Sequence, residues 1–265
     1  MRVIVTRPSR EAKKWAIALA DAGYDAVALP LVEVAAAAEP DRVLAARQSL
    51  GTFDAAMFVS GNAVDYFFAL NAALDPVFGA LAAIKTRALA TGPGTVAALI
   101  RAGAEAGWID APGQDSPQFD SEALWAVMGG NVRAGYKVLV VRGMGAALPE
   151  TASGEGHGRD WFANQVLAAG GTVEYVVAYR RVAVRLRGDE LVLAQQAAFD
   201  GSVWMFSSSE AIGNLVVSCP GQDWSLAKSV VTHPRIGDAA RQAGFGVVIE
   251  SRPSLASLFA SIESL

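Results

Sequence analysis

Cysteine is almost absent from this chain. Cys219 is the only one, so no disulfide can form within the chain, which suits a reducing compartment. Histidine is nearly as scarce: with only His157 and His233, a zinc centre of N and S ligands lacks its donors, and no metal is expected. Charged residues make up 18% of the chain and their balance is slightly acidic, at −4. That leaves no overall basic field for gripping nucleic acid. Long apolar runs are missing too. The nearest, VEVAAAA, is bounded by acids and falls far short of the ~20 residues of a membrane span. The opening MRVIVTRPSR lacks the apolar length and small-residue cleavage region of a signal peptide. A soluble, cytoplasmic protein with no membrane partner is the expectation. No Gly-x-x-x-x-Gly-Lys phosphate loop and no G-x-S-x-G elbow occurs.

What is present is hydrophobic sequence in short runs. The 265 residues are 52% hydrophobic, enough for a sizeable core and too apolar for disorder. VIVTR (Val3–Arg7) reads as a strand buried on both faces. In the helical pattern that follows, Trp15, Ala18, Leu19 and Ala22 share a face, and Gly23 is a natural stop. DAVALP completes a βαβ unit. FDAAMFVS, TRALATG, AGWIDAP, KVLVVRG, TVEYVVAY, GSVWMFSS, KSVVTHP and GVVIESR read as further strands, with helices between most of them. About ten strands are too many for one ordinary open sheet and suit two.

The units repeat. VIVTRPS…ALADAGYDAVAL resembles VLVVRGM…QVLAAGGTVEYVV. AAMFVSGNAVDYF resembles SVWMFSSSEAIGNL. LATGPGTVAALIRAG resembles VVTHPRIGDAARQAG, with Pro93 matching Pro234 and Gly103 matching Gly244. The order is a, b, a, b, as in a duplicated half. Periodicity is the same whether the two domains are tandem or interleaved, and LPLVEV and VVAYRRV would be the crossings in the interleaved case.

Ligands of open α/β sheets sit at the carboxyl ends of the strands, by the helix amino termini. Those ends carry Thr6-Arg7-Pro8-Ser9, Ser60-Gly61-Asn62, Thr91-Gly92-Pro93-Gly94-Thr95, Arg142-Gly143, Ser207-Ser208-Ser209 and Thr232-His233-Pro234-Arg235. Two readings stand side by side. Ser, Thr and Asn cap helices, each for ~1 kcal/mol. Free amides and the helix dipole also attract carboxylate or phosphate, and small residues let an anion reach the backbone. Two such rims would line a cleft suited to a many-armed acid.

Other motifs carry less. Gly92-Pro93-Gly94-Thr95-Val96-Ala97 fits G-x-G-x-x-A, but the matching HPRIGD has no such glycines, so a dinucleotide cofactor is not expected. His157 lies in a Gly-rich loop and reads as solvated, His233 as a cap or surface residue, and Cys219 as inert. Trp15, Phe53, Phe58, Tyr66, Phe67 and Phe68 read as core. Tyr179 ends a strand at a proposed crossing, where packing is the simpler fate.

Taken together, VTRP, LPLVEV, FVSGNAVDYF, ATGPGTVAAL, VLVVRG, VVAYRR, MFSSSEAIGNL and HPRIGDAARQAGF resemble the uroporphyrinogen-III synthase family, in family order over nearly the whole chain. The resemblance implies two doubly wound, parallel-sheet (flavodoxin-like) α/β domains joined by a two-stranded linker. It assigns residues 1–34 with 181–265 to one domain and 36–178 to the other. It implies a monomeric enzyme that takes a linear tetrapyrrole, hydroxymethylbilane, and closes it to uroporphyrinogen III with inversion of ring D and loss of water, using no cofactor. Tyr179 matches the family's proposed proton donor. Substrate binding by resemblance falls on Thr6, Arg7, Ser60, Gly61, Asn62, Ala63, Gly92, Pro93, Gly94, Thr95, Arg142, Gly143, Ser207, Ser208, Ser209, Pro234 and Arg235. The polar Gly-rich stretch from Ala147 to Asp160 departs from the family pattern and reads as a passive insertion. The competing reading is a non-catalytic two-domain binder of a small polyacidic ligand.

Overall fold

Arg2–Val5 forms strand β1, and Pro8 then opens helix α1 (Ser9–Asp21). A computed structural model describes residues 1–69, 85–145 and 157–265, so the Gly-rich stretch lies outside the described residues up to position 156. After α1 come β2 (Asp25–Ala28), β3 (Val32–Ala36), α2 (Pro40–Gln48), β4 (Ala55–Phe58) and α3 (Gly61–Ala69). Next are β5 (Arg87–Ala90), α4 (Pro93–Arg101), β6 (Ile109–Asp110), α5 (Ser121–Met128), β7 (Lys137–Met144), α6 (His157–Ala168) and β8 (Thr172–Ala183). The chain ends with α7 (Asp189–Gln196), β9 (Val203–Phe206), α8 (Ser209–Ser218), β10 (Lys228–Val231), α9 (Pro234–Gln242), β11 (Val247–Glu250) and α10 (Leu255–Glu263). Pro93 and Pro234 both stand at a first helical position, where a missing N–H and a preset φ cost nothing. Gly103 and Gly244, the matched pair of the repeat, sit just past α4 and α9 with φ of 96° and 95°, a left-handed turn that favours glycine.

The chain divides into two compact units, Met1–Glu33 with Val182–Leu265 and Val34–Arg181. It passes from one to the other inside β3 and again inside β8.

In the first unit the sheet order is β11-β10-β9-β1-β2, and all four strand pairs are parallel. Read from β2, this is the doubly wound order 2-1-3-4-5, whose direction reverses between β1 and β9. Val3, Val5, Val203, Met205 and Val230 meet Ala12 and Leu19 of α1 and Leu258 and Ile262 of α10 on one face. Ile4, Trp204, Phe206 and Val231 meet Ala194, Ile212, Leu215, Ile236 and Ala240 on the other. Both faces are covered, which is why these strands are continuously apolar.

The second unit's sheet runs β3-β8-β7-β4-β5-β6. Without β3 it repeats the same order, with β7 and β8 in the places of β1 and β2, and β4, β5 and β6 in those of β9, β10 and β11. The reversal falls between β7 and β4, which pair in parallel from Ala55↔Val138 to Phe58↔Val141. The first sheet thus joins the first a copy to the last b copy, from opposite ends of the chain, while the second joins the first b copy to the a copy that follows it.

Candidate functional site at the carboxyl ends of the strands

The two reversal points bring together residues that lie far apart in the chain. In the second unit, Ser60 follows β4 and caps α3, its Oγ accepting the Ala63 N–H at 3.1 Å. The same Oγ lies 3.0 Å from the Tyr179 hydroxyl, which comes from β8. Tyr179 reaches it through a bulge. The β7–β8 register pairs Arg142 with Val177 and then Gly143 with Tyr179, leaving Ala178 unpaired. Ala178 and Tyr179 consequently join the same core cluster, with Phe58, Phe67 and Val141, although they are consecutive in a strand. Tyr179 is 1% exposed, and its ring lies across Gly143. Its neighbour Tyr66, at 6.1 Å between ring centres, donates to the Val34 carbonyl. Arg142 is half-buried and its guanidinium stacks 4.5 Å from the Tyr175 ring.

At the next junction Gly92 is extended and the α4 amino terminus has no side-chain cap. Thr95 is buried, whereas Pro93 and Gly94 are exposed, and a β-carbon on Gly94 would meet nothing within 4 Å. The Gly61 β-position faces the Gly94 carbonyl at 3.5 Å, so the α3 and α4 starts are close neighbours. Asn62 is half-buried on the same turn as Ala63, whose side chain is buried and which offers only its amide, already taken by Ser60.

In the first unit Thr6 turns inward. It is 1% exposed and its hydroxyl donates to the Met205 carbonyl at 2.7 Å, stitching β1 to β9. Arg7, just ahead of α1, folds over that helix, paired with Glu11 at 2.8 Å and 3.9 Å above the Trp15 ring. The α1 start already holds a carboxylate: Glu33 accepts from both the Ser9 amide and the Ser9 hydroxyl. Of the three serines, Ser208 caps α8 by accepting the Glu210 N–H at 3.2 Å, and Ser209 donates to the Arg235 carbonyl at 3.4 Å. Ser207 is half-buried at the end of β9. His233 caps α9, its Nδ1 accepting the Arg235 N–H, while Pro234 and Arg235 are exposed. Capping therefore accounts for Ser60, Ser208 and His233, and it leaves Ser207, Gly94 and Arg235 without such a duty.

Sequence reasoning missed two things here. The bulge at Ala178 was signalled only by Gly143, since a glycine inside a strand marks a close approach or a bulge. The Ser9–Glu33 bond had no signal, because the partners are brought together by the sheet.

A hollow of about 470 Å³ opens at the opposite, amino ends of the second unit's strands, lined by Asp54, Lys85, Arg87, Trp108, Asp110 and Tyr136 among others. Its charges largely answer one another. Arg87 binds Asp110 at 2.5 and 2.7 Å, which pushes its guanidinium pKa further up, and Asp54 accepts the Lys137 N–H. Among the described residues no group of His, Cys, Asp and Glu could hold a metal ion, and no helix is long and apolar enough to cross a membrane.

Two doubly wound parallel sheets, each with hydroxyls and helix amino termini at its reversal point, define an α/β protein of two flavodoxin-like units. The family model described as uroporphyrinogen-III synthase HemD matches residues 13–260, and the chain belongs to the uroporphyrinogen-III synthase family. It is accordingly an enzyme of tetrapyrrole biosynthesis, a lyase that closes hydroxymethylbilane to uroporphyrinogen III. A mutant uroporphyrinogen III synthase from the extremely thermophilic bacterium Thermus thermophilus shares the fold, with a TM-score of 0.58 at 15% identity over 100% of this chain and 98% of that one. The uroporphyrinogen-III synthetase of Helicobacter pylori gives 0.58 and 15% over 100% and 99%. No curated protein sequence matches significantly.

Proposed function

We propose that carboxyl-end rims of the doubly wound sheets bind acetate and propionate arms of hydroxymethylbilane, and so decide which of its carbons closes the ring. The exposed or half-buried positions at those rims supply the donors: Ser207 and Arg235 in the first unit, and Asn62, Gly94 and Arg142 in the second, while Pro234 has no N–H and only sets the turn. The observation that carries this reading is the Glu33 carboxylate on the α1 amino terminus, an anion held by one amide and one hydroxyl at such a rim. Amides and hydroxyls can in this way take several carboxylates on a chain whose net charge is −4.

Unassisted closure of the substrate joins its ends directly and gives the uninverted isomer. The rims hold the substrate so that the substituted carbon of ring D attacks first, forming a spiro intermediate that fragments and recloses. Orientation of this kind lowers a barrier by several kcal/mol. Protonation of the departing ring A hydroxyl leaves Tyr179 as the net proton donor. A phenol is a weak acid, so Tyr179 assists without being indispensable. The enzyme acts in the cytoplasm as a monomer and needs no cofactor. Incubation with hydroxymethylbilane in the absence of metal and nucleotide tests the reading: type III product is expected, and type I alone would overturn it.

A further inference from the structure

We propose that Ser60 is the residue that hands the proton to the departing hydroxyl, with Tyr179 refilling it from behind. The inference rests on the synthase reading above. Tyr179 is 1% exposed, so its hydroxyl stands back from the rim, while Ser60 is half-buried at the carboxyl end of β4. The Ser60 oxygen is the described partner of the buried phenol, at 3.0 Å. A buried donor has to be satisfied, which directs the Tyr179 proton onto Ser60 Oγ. The Ala63 N–H also donates to Ser60 Oγ, at 3.1 Å. A serine hydroxyl has two acceptor positions and one proton. With both acceptor positions filled, the one proton of Ser60 is left for an acceptor outside this pair.

The proton transfers then balance. The C–O bond of the hydroxymethyl group breaks and its electron pair leaves with oxygen. The ring A nitrogen lone pair fills the carbon, giving an azafulvenium cation. The leaving oxygen takes the Ser60 proton and departs as water. Ser60 takes the Tyr179 proton, and the negative charge comes to rest on the phenolate. The α3 amino terminus beside Ser60 favours that charge. When the macrocycle closes, the ring D carbon that forms the last bond loses its proton, which returns through Ser60 to Tyr179. One water is lost and the hydroxyl pair is restored.

The bulge fits this arrangement. It turns Tyr179 to the face on which α3 lies, and Gly143 leaves room for the ring. Ser60 would be the catalytic residue and Tyr179 the proton reservoir that positions and recharges it.

The test compares type III formation by the wild type, Tyr179→Phe, Ser60→Asn, Ser60→Thr and the Ser60→Asn/Tyr179→Phe double variant. Asparagine keeps the helix cap but cannot pass a proton through a hydroxyl. Ser60→Asn is expected to lower kcat by about a hundredfold, more than Tyr179→Phe does, with KM nearly unchanged. Adding Tyr179→Phe to it should bring no further loss, and Ser60→Thr should stay within a few-fold of the wild type. Turnover in mixed light and heavy water should show a curved dependence on deuterium fraction in the wild type, from two protons in flight, and a straight one in Tyr179→Phe. Losses that multiply in the double variant, a Ser60→Asn rate at or above that of Tyr179→Phe, or a straight dependence in the wild type would each overturn the relay. Those outcomes presuppose wild-type type III synthesis, so they differ from a failure of the synthase reading itself, in which the wild type makes only type I.

Discussion

Tyr179 occupies the space that a side chain on Gly143 would need. A β-carbon built on Gly143 would come within 2.2 Å of the tyrosine ring. The two residues face each other across β7 and β8 only because Ala178 is bulged out of register. Here the glycine's contribution is the absence of a side chain, which lets an aromatic ring lie flat on backbone and carry its hydroxyl to Ser60.

Gly143→Ala should therefore cost about 2 kcal/mol of stability by overpacking, and should lower turnover by displacing the Tyr179 hydroxyl. Combining it with Tyr179→Leu should cost less than the sum of the two single changes, because both act on the same few ångströms of space. Urea midpoints of the three variants check this. Additive losses would mean that the ring moves aside freely.

Thr6 is a rim residue whose hydroxyl is committed to the sheet. Its hydroxyl is buried on the Met205 carbonyl. Thr6→Val, close in shape, should lower stability by about 1 kcal/mol through loss of that bond. Its KM for hydroxymethylbilane should stay at the wild-type value, as measured by steady-state kinetics on the folded variant.

Much of the fold was legible in the sequence. Apolar runs such as VIVTR and FDAAMFVS are what parallel strands covered on both faces require, and β1 and β4 form there. Gly23 was read as the stop of the first helix, and it stands just past α1 with φ of 90°. The pairing of β1 with β9 and of β4 with β7 was not written in any local pattern, because tandem and interleaved chains have the same periodicity. The site was legible as chemistry but not as direction. Thr6 and Ser207 are both hydroxyls at strand ends, yet the first points into the sheet while the second makes no side-chain hydrogen bond among the described residues. That difference is set by strands roughly two hundred residues apart in the chain, beyond the reach of any local rule.

At the other end of the second unit, burial chiefly, and then the Asp54 and Asp110 carboxylates, push the Tyr136 hydroxyl pKa above the ordinary phenol value. The folded state thus holds this proton more tightly than the unfolded one. Stability is unaffected while both states are protonated and falls as pH rises above the ordinary phenol range, near 10. Urea midpoints measured from pH 8 to pH 11 should decline, and Tyr136→Phe should flatten the alkaline part of that decline. An unchanged slope in the variant would remove Tyr136 from the account.

Central to the proposed function is that the carboxyl-end rims of the sheets hold carboxylate arms of the substrate. Gly94 and Arg235 hold equivalent places in the two copies, each one residue into its helix after the proline and each exposed. Leucine at either place is outside the core, so Gly94→Leu and Arg235→Leu should shift stability by no more than about 0.5 kcal/mol. The decisive measurement is the ratio of type III to type I product that each variant makes from hydroxymethylbilane, read alongside KM. Both variants are predicted to raise KM and to let the type I share grow. Wild-type KM and wild-type isomer ratio in both variants would contradict the claim.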